Sequence, residues 1–533
     1  MQVRLYAAGL ALSALFALPA KAQVGIGGGQ LSASFETNSV YYVEDKGLGE
    51  NSTPDDRFGS NSYLKLDYTY GKFSAGIQAE AYLPALYGYE IGQQPDYKKF
   101  YLASKYVQWQ DKNFSAYVGD IYDQFGNGLV FRSFEDRQLG LNNSLEGVKA
   151  TYAFSRFVSL KGMYGRPRLY TDYAGSWIRG LDLNISIADI FNWEKILLSL
   201  SGSYLNRYET LDKDEYTDFT EMGLTSPNLN MYSGRIGFGW NGLDINGEYV
   251  VKSKDIPSAS SSKAVKGAAL YVDAIYNYKK FSVSATFRML ENMGTMLSLY
   301  GNGTGNTLNY LPALTRQYTY ALANLNPYQV NVLGETAGQA DVFYSLRSKH
   351  NRHKYWNFHA NFSTAYTLKP SQGENNKVNM MWCDANVDIE RQWNKSLKTT
   401  LLYSRQQWSE SHGFKPETFV SNIFVADITG KFNRKMSLRG ELQYLYSDDY
   451  EGDWIAALLE FSMAPRWSFF VSEMYNIDKT KKHYYNAGFS YTKNRTRFQI
   501  SYGRNRAGYI CSGGVCRYSP EYTGLNFTLT TSI

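Results

Sequence analysis

Apolar and polar side chains alternate along Leu243-Asp244-Ile245-Asn246-Gly247-Glu248-Tyr249-Val250-Val251-Lys252. The odd-numbered positions are apolar or glycine, whereas Asp244, Asn246, Glu248 and Lys252 occupy most of the even ones. Because successive side chains of a β-strand point to opposite faces, this period of two predicts a strand with one apolar and one polar face. Such strands, about ten residues long, are typical of barrels that cross a lipid bilayer.

The same alternation recurs along the whole chain up to its last residues. It is clear in the stretches 64–70, 358–366 and 436–446. In the last of these, Leu438 and Leu442 fall on the apolar face, which we expect to point outward. Counting such stretches predicts about 24 strands, with 22 or 26 as alternatives.

The connections between these strands are of two kinds. Very short turns, flanked by aromatic residues, occur at 71–72, 241–242, 279–280 and 433–434, among other places. The remaining connections are longer, and this asymmetry with an aromatic girdle is the plan of outer-membrane barrels. A soluble β-sandwich also alternates, but long strands whose polar face carries both signs of charge favour a wet lumen. The predicted fold is all-β, a single large antiparallel transmembrane β-barrel over residues 23–533.

The N-terminus has the pattern of an export signal. Arg4 supplies a positive charge, residues 5–18 are apolar, and Ala20-Lys21-Ala22 fits the small-x-small cleavage rule. Residues 1–22 are therefore predicted to be a signal peptide. Read instead as a membrane helix, the apolar run is too short.

Composition narrows the class of protein further. The net charge of +6 is small for 533 residues, and we therefore expect no nucleic-acid partner. The 46 Tyr and the 16% of aromatic residues suit lipid–water boundaries, where one end of a ring is apolar and the other is wet. Neither a linker nor a Pro-rich tract divides the chain, so we expect one domain.

Two of the three cysteines lie in a presumed outer hairpin. Cys511 and Cys516 flank Gly513-Gly514, whose glycines can adopt the positive φ angles of a two-residue turn. This turn makes the two cysteines a non-hydrogen-bonded cross-strand pair with close side chains, which predicts a disulfide. The alternative is a metal or redox pair, but no His stands nearby. Cys383 alternates with apolar residues and is expected to be free and to face lipid.

Two connections are unusually long, at about 120–146 and 293–339. The second carries only two charged side chains, Arg316 and Glu335, which is unusual for an exposed loop. We expect it to fold into the lumen and meet the first loop; a lid across the barrel mouth is the alternative. The candidate residues of such a lumen constriction are Arg132, Glu135, Asp136, Arg137, Arg316 and Glu335, and we expect the last two to find ionic partners among the first four.

Three stretches carry a resemblance to a known family: Gln124–Arg137, Tyr310–Tyr328 and Cys511–Cys516. Together they resemble an uncharacterised, domain-of-unknown-function family of outer-membrane β-barrel proteins from Bacteroidota. The resemblance implies an outer-membrane barrel from that phylum. It implies no substrate, reaction or catalytic residue.

Function is therefore predicted at the level of class. A wide polar lumen with mixed charges favours a porin-like channel or transporter for small polar solutes. The alternative is a non-catalytic structural or interaction component of an outer-membrane assembly. An enzyme is not expected, because none of the five His lies in a recognisable nucleophile or metal pattern. We expect neither a cofactor nor a metal site.

The expected location is the outer membrane of a Gram-negative cell. The expected partners are outer-membrane lipid, lipopolysaccharide and the barrel-insertion machinery. The last is suggested by Gly524, Phe527 and Leu529 in the final strand, which resemble a terminal β-signal, although the chain ends in Ile533. The sequence identifies no other protein partner.

Overall fold

The computed structural model describes residues 24–49, 52–212, 219–351, 353–512 and 515–533. The predicted signal peptide and the Gly513-Gly514 turn lie outside these residues. No helix in the described ranges is long and apolar enough to cross a membrane.

The described chain forms a closed antiparallel barrel of 24 strands. Each strand pairs with the next along the sequence, and the last pairs with the first through contacts such as Ser39 opposite Phe527. The strands, numbered β1 to β24, are Gly29–Val43, Phe58–Tyr70, Phe73–Tyr82, Phe100–Gln110, Phe114–Ile121, Leu145–Ser155, Val158–Leu169, Trp177–Ser186, Ile196–Tyr208, Asn228–Trp240, Leu243–Asp255, Val265–Tyr278, Phe281–Glu291, Gly334–Arg347, Tyr355–Thr367, Met380–Gln392, Leu397–Trp408, Phe419–Lys431, Met436–Ser447, Trp454–Met463, Trp467–Asn476, His483–Lys493, Thr496–Asn505 and Tyr522–Ser532. The all-β barrel and the strand number predicted from the alternation are both confirmed.

The remaining regular elements are short. One α-helix spans Ile187–Ile190, and 3-10 turns span Glu90–Gln93, Leu322–Asn324 and Pro370–Gln372. Short strand segments outside the 24 barrel strands span Val24–Ile26, Glu135–Asp136, Leu141–Asn142, Asp172–Tyr173, Gly508–Ser512 and Val515–Ser519.

The two ends of the barrel differ as the turn pattern predicts. We call the end with connections such as 71–72 and 241–242 the turn end, and the opposite one the loop end. Side chains next to the turns are exposed on the barrel surface, among them Tyr70, Phe73, Trp240, Tyr278 and Phe432. The turn end therefore carries an aromatic girdle.

The predicted register of the strands is confirmed on β19. Leu442 is 54% exposed on the outer surface, whereas its neighbours Glu441 and Gln443 are buried in the lumen. Leu438 lies on the same outward face as Leu442, four residues closer to the turn end. The outer surface is thus apolar, and the polar residues of the alternating strands point inward.

Inward-facing side chains are buried near the loop end and accessible near the turn end. In β11, Val250 and Lys252 are buried, but Asp244 and Asn246 are exposed. The neighbouring strands show the same gradient, because long connections fold back and fill the loop half of the lumen. The inward-facing polar residues of the turn half remain accessible.

Two loops fill the loop half. The first, which we call the plug loop, comprises residues 292–333 between β13 and β14. It ends earlier than predicted, so Glu335 belongs to β14 and not to the loop. The start of β14 reads Gly-Glu-Thr-Ala-Gly-Gln and largely lacks the β-branched and aromatic residues that mark a strand in a sequence. The second, the support loop, comprises residues 122–144.

Candidate functional site

The plug loop packs inside the lumen through apolar side chains. Met293, Leu297, Leu308 and Leu311 are buried in one cluster with Phe125 and Phe131 of the support loop and with Leu229, Met231 and Val250 of the barrel wall. A second part of the loop, around Leu322, packs on inward residues of β17 to β20. Burial of this apolar surface stabilises the inward position of the loop.

The plug loop and the support loop are joined by backbone hydrogen bonds. Arg132 donates its N–H to the carbonyl of Leu308 over 3.0 Å, and Tyr310 donates to the carbonyl of Gly128 over 2.8 Å. The guanidinium of Arg132 lies 3.8 Å from the ring centre of Tyr310. The two loops therefore meet inside the barrel and form one closing element.

Gly126 lets the support loop reach β10 and β11 of the barrel wall. Gly126 has a φ of 49°, and a Cβ there would lie 2.3 Å from the guanidinium of Arg235 on β10. Next to it, the N–H of Asn127 donates to a carboxylate oxygen of Glu248 over 3.0 Å. Any larger residue at 126 would push the tip away from this contact.

The wall holds the plug loop through a buried ion pair. Arg288 and Glu335 are 1% and 0% exposed, and their side chains lie 2.8 Å apart. Arg288 also donates to the carbonyl of Pro312, and Glu335 accepts the N–H of Asn331 over 3.0 Å. One pair thereby fastens two separate parts of the plug loop. The prediction that Glu335 pairs with a residue of the 132–137 segment was wrong.

Arg316 also finds its partner on the wall, which corrects the second predicted pairing. Its guanidinium lies 2.6 Å from Asp388 and donates to the Asn386 side chain over 2.8 Å. Asp388 in turn lies 2.9 Å from His359, whose other ring nitrogen lies 3.0 Å from Asp341. The ring can donate to both carboxylates only in its protonated form.

The 132–137 segment has its own partners. Arg137 pairs with Glu135 over 2.6 Å and with Glu36 of β1 over 2.7 Å, and Asp136 accepts the N–H of Leu139 over 3.0 Å. Those charges fasten the support loop to the wall near β1, far along the barrel from Asp388. The sequence spacing could not reveal this, because the wall residue that faces a loop depends on how the barrel closes.

Several anchors of the plug loop were not anticipated. Arg207 pairs with Asp255 over 2.6 Å and donates to the carbonyl of Met296 over 2.5 Å. Lys252 donates to the carbonyl of Gly294 over 2.6 Å. Their only sequence signal is a charge on the inward face near the loop end of a strand, and many lumen residues share it.

Glu209, the first residue of the outer loop that follows β9, connects that loop to the plug loop. Its carboxylate accepts the hydroxyl of Ser298 over 2.6 Å and the N–H of Leu299 over 2.7 Å. Burial raises the pKa of this carboxyl above its usual value, although both hydrogen bonds and the charge of Arg207 act in the opposite direction. The contact between Glu209 and the plug loop therefore depends on whether the Glu209 carboxyl is charged.

A disulfide hairpin covers the plug loop. Cys511 and Cys516 are bonded to each other, and Cys383 is free. Arg517 of the hairpin donates to the carbonyls of Gly88 and Gln138 over 3.1 and 3.3 Å. Between the hairpin and the plug loop lies a cavity of about 600 Å³.

A model of a family of unknown function, DUF6029, matches residues 3–533. The chain belongs to that family. No protein of curated function is significantly similar to it.

Some solved structures share part of the architecture of this DUF6029 chain. The siderophore receptor PirA from Pseudomonas aeruginosa is 9% identical, with 94% of this chain and 80% of that chain covered and a TM-score of 0.42. The P pilus usher (PapC) translocation pore is 9% identical, with 94% and 99% covered and a TM-score of 0.43. OccAB3 from Acinetobacter baumannii is 10% identical, with 95% and 100% covered and a TM-score of 0.37. Similarities of this size assign no function to the chain.

The arrangement can control passage through the lumen. The plug loop and the support loop occupy the loop half, and ion pairs and hydrogen bonds to wall residues hold them there. Release of those contacts would connect the polar turn half to the loop end. The candidate site of this DUF6029 protein is thus a pair of loops that occupy the lumen.

Proposed function

We propose that this protein is an outer-membrane channel or transporter for small polar solutes whose gate is the plug loop. The observation that carries the proposal is the division of the lumen. In its turn half, inward-facing polar residues of both charges remain accessible, and its loop half is occupied by a segment that packs against the inner wall. A mixed-charge passage suits neutral and polar solutes better than ions of one sign.

The proposal includes a location and an orientation. The apolar outer surface and the aromatic girdle suit a lipid bilayer, because a closed barrel leaves no unpaired strand edge in lipid. We place the barrel in the outer membrane of a Gram-negative cell of the Bacteroidota, reached through the 1–22 signal and the insertion machinery. The turn end then faces the periplasm, and the loop end faces lipopolysaccharide and the medium. The proposed role is not catalytic.

A reversible lock on the plug loop tests this role. The hydroxyls of Thr315 on the plug loop and Ser363 on β15 lie 3.1 Å apart, so cysteines at both positions can form a disulfide. We would make Thr315→Cys/Ser363→Cys in a Cys383→Ser background and reconstitute it in liposomes. Swelling in isosmotic arabinose, glucose or glycine measures the flux.

We expect wild-type liposomes to swell faster than protein-free liposomes and the oxidised lock to reduce swelling to the protein-free rate. Dithiothreitol should restore flux in the locked variant. Wild type treated with dithiothreitol controls for reduction of the Cys511–Cys516 bond, and Ser363→Cys alone controls for the substitution. Protein-free rates for wild type would reject the channel.

One observation favours a second candidate, a structural or interaction component of an outer-membrane assembly. The plug loop is held by a large apolar cluster as well as by polar contacts, which suits permanent closure. In that case the outer loops would be docking surfaces. The lock experiment separates the two functions, because a permanently closed barrel gives no flux to abolish.

A further inference from the structure

The cavity beneath the disulfide hairpin is placed where a solute would first meet the gate. The plug loop forms one side, and Tyr509, Ile510 and Cys511 of the hairpin form another. Its volume of about 600 Å³ lies within the range of about 300–1,000 Å³ typical of small-ligand pockets. A solute bound there belongs to the proposed uptake function, and the lining of the cavity indicates its chemical class.

Three glutamine side chains form part of the polar lining. Gln138, Gln317 and Gln329 line the cavity, and within the described residues their amide groups form no hydrogen bond. Each amide offers two donors and one acceptor oxygen. A ligand in this cavity therefore meets groups that can donate to and accept from the same partner.

Aromatic rings form part of the apolar lining, and two of them, Tyr328 and Trp382, are nearly buried against each other. Tyr328 of the plug loop stacks on Trp382 of β16, with ring centres 5.7 Å apart and planes at 16°. Tyr310 and the half-exposed Tyr509 lie on other sides of the cavity. Rings of this kind present flat, apolar surfaces next to hydrogen-bonding groups.

The cavity is electrically neutral. Arg316 is the only charged residue among the described residues that line it, and Asp388 neutralises its guanidinium at 2.6 Å. A bound anion would have to compete with Asp388, and a bound cation would find no carboxylate in the lining. A purely apolar ligand would cover the three amides without satisfying them.

We propose that this cavity binds a neutral, polyhydroxylated solute, namely a short oligosaccharide, as the first step of uptake. Sugar hydroxyls both donate and accept, which matches the free amides. The C–H faces of sugar rings are apolar and flat, which matches the aromatic surfaces. Mixed amide and aromatic lining without a free charge fits this class better than ions or lipids.

Calorimetric titration of the purified, detergent-solubilised protein tests the proposal. The probes are maltotriose, cellotriose, mannotriose and tri-N-acetylchitotriose, with trigalacturonate as the anionic counterpart. We expect at least one neutral trisaccharide to bind and trigalacturonate to bind none or more weakly. The variant Gln317→Ala/Gln329→Ala should weaken binding about tenfold, since it removes two hydrogen-bonding groups. Gln93→Ala, an exposed amide in another outer loop, should leave the affinity unchanged.

Each outcome decides the question. Absence of heat with all four neutral probes overturns the proposal, as does tighter binding of trigalacturonate or equal affinity of the double variant and wild type. Both substituted glutamines are solvent-accessible, so misfolding does not confound the comparison. Sugar binding without liposome flux would reject the channel but keep the ligand class. Flux without sugar binding would keep the channel but reject the ligand class.

Discussion

The buried pair of Arg288 and Glu335 gives the sharpest test of the gate. Glu335→Ala leaves the guanidinium of Arg288 in a dry site next to the Pro312 carbonyl and removes the acceptor for the Asn331 N–H. Removing one partner of a buried ion pair costs about 3–5 kcal/mol. This cost is relieved when the plug loop leaves, because Arg288 is then hydrated. The substitution therefore destabilises the closed state relative to the open one.

The size of the effect follows from the free energy. Each 1.4 kcal/mol changes an equilibrium tenfold, so the open-to-closed ratio should rise roughly a hundred-fold to a few thousand-fold. Single-channel recording in planar bilayers measures that ratio as the total open time divided by the total closed time. Retained heat-modifiable migration on gels would show that the barrel itself still folds.

Two matched variants make the reasoning refutable. Arg288→Met/Glu335→Leu removes both charges, and we expect it to open far less often than the single variant because no unpaired charge remains. Asp111→Ala breaks the exposed Lys72–Asp111 pair at the turn end and should change nothing. An open-to-closed ratio for Glu335→Ala within about twofold of wild type would show that the pair does not hold the gate.

Three further predictions concern the loops and the cysteines. Deletion of residues 300–331, which stops short of β14, should raise single-channel conductance several-fold, and unchanged conductance in a folded variant would reject the plug. Mass spectrometry without reductant should find Cys511 bonded to Cys516 and a free thiol at Cys383; labelling of Cys511 or Cys516 under these conditions would contradict the pairing. The pKa of Glu209 is raised, so its carboxyl binds a proton more readily when the plug loop is docked. Docking therefore weakens as the pH rises from the ordinary pKa of 4.5 through the raised pKa of the docked state. Opening probability should therefore increase with pH in wild type, and Glu209→Gln should flatten that rise; an identical pH profile for the two proteins would exclude Glu209 as its source.

Alternation along the chain was sufficient to predict the barrel and its register. Leu442 and Val251 point outward, and Glu441 and Lys252 point inward, because a strand pleat exchanges faces at every residue. The disulfide between the closely spaced cysteines at 511 and 516 was equally predictable, since a short hairpin leaves each cysteine few other partners. These features depend on contacts between residues that are near in sequence or on adjacent strands.

The unusual composition of the plug loop also indicated its position. A loop with so few charged residues gains more from packing on an inner wall than from water, and clusters around Met293 and Leu322 pack there. Its partners could not be foreseen. Arg316 reaches Asp388 and Glu335 reaches Arg288, whereas we expected both to pair within 132–137.

The sequence by itself determined the class of fold, the two faces of each strand and the presence of an inward loop, because these follow from local periodicity and composition. Only the tertiary structure decided which wall residues hold the plug loop and where a cavity remains. Closure of 24 strands brings Arg207, Arg288 and Asp388, which lie on three different strands, to face one lumen. Distances across that lumen depend on the closed barrel as a whole, and no short stretch of the chain encodes them.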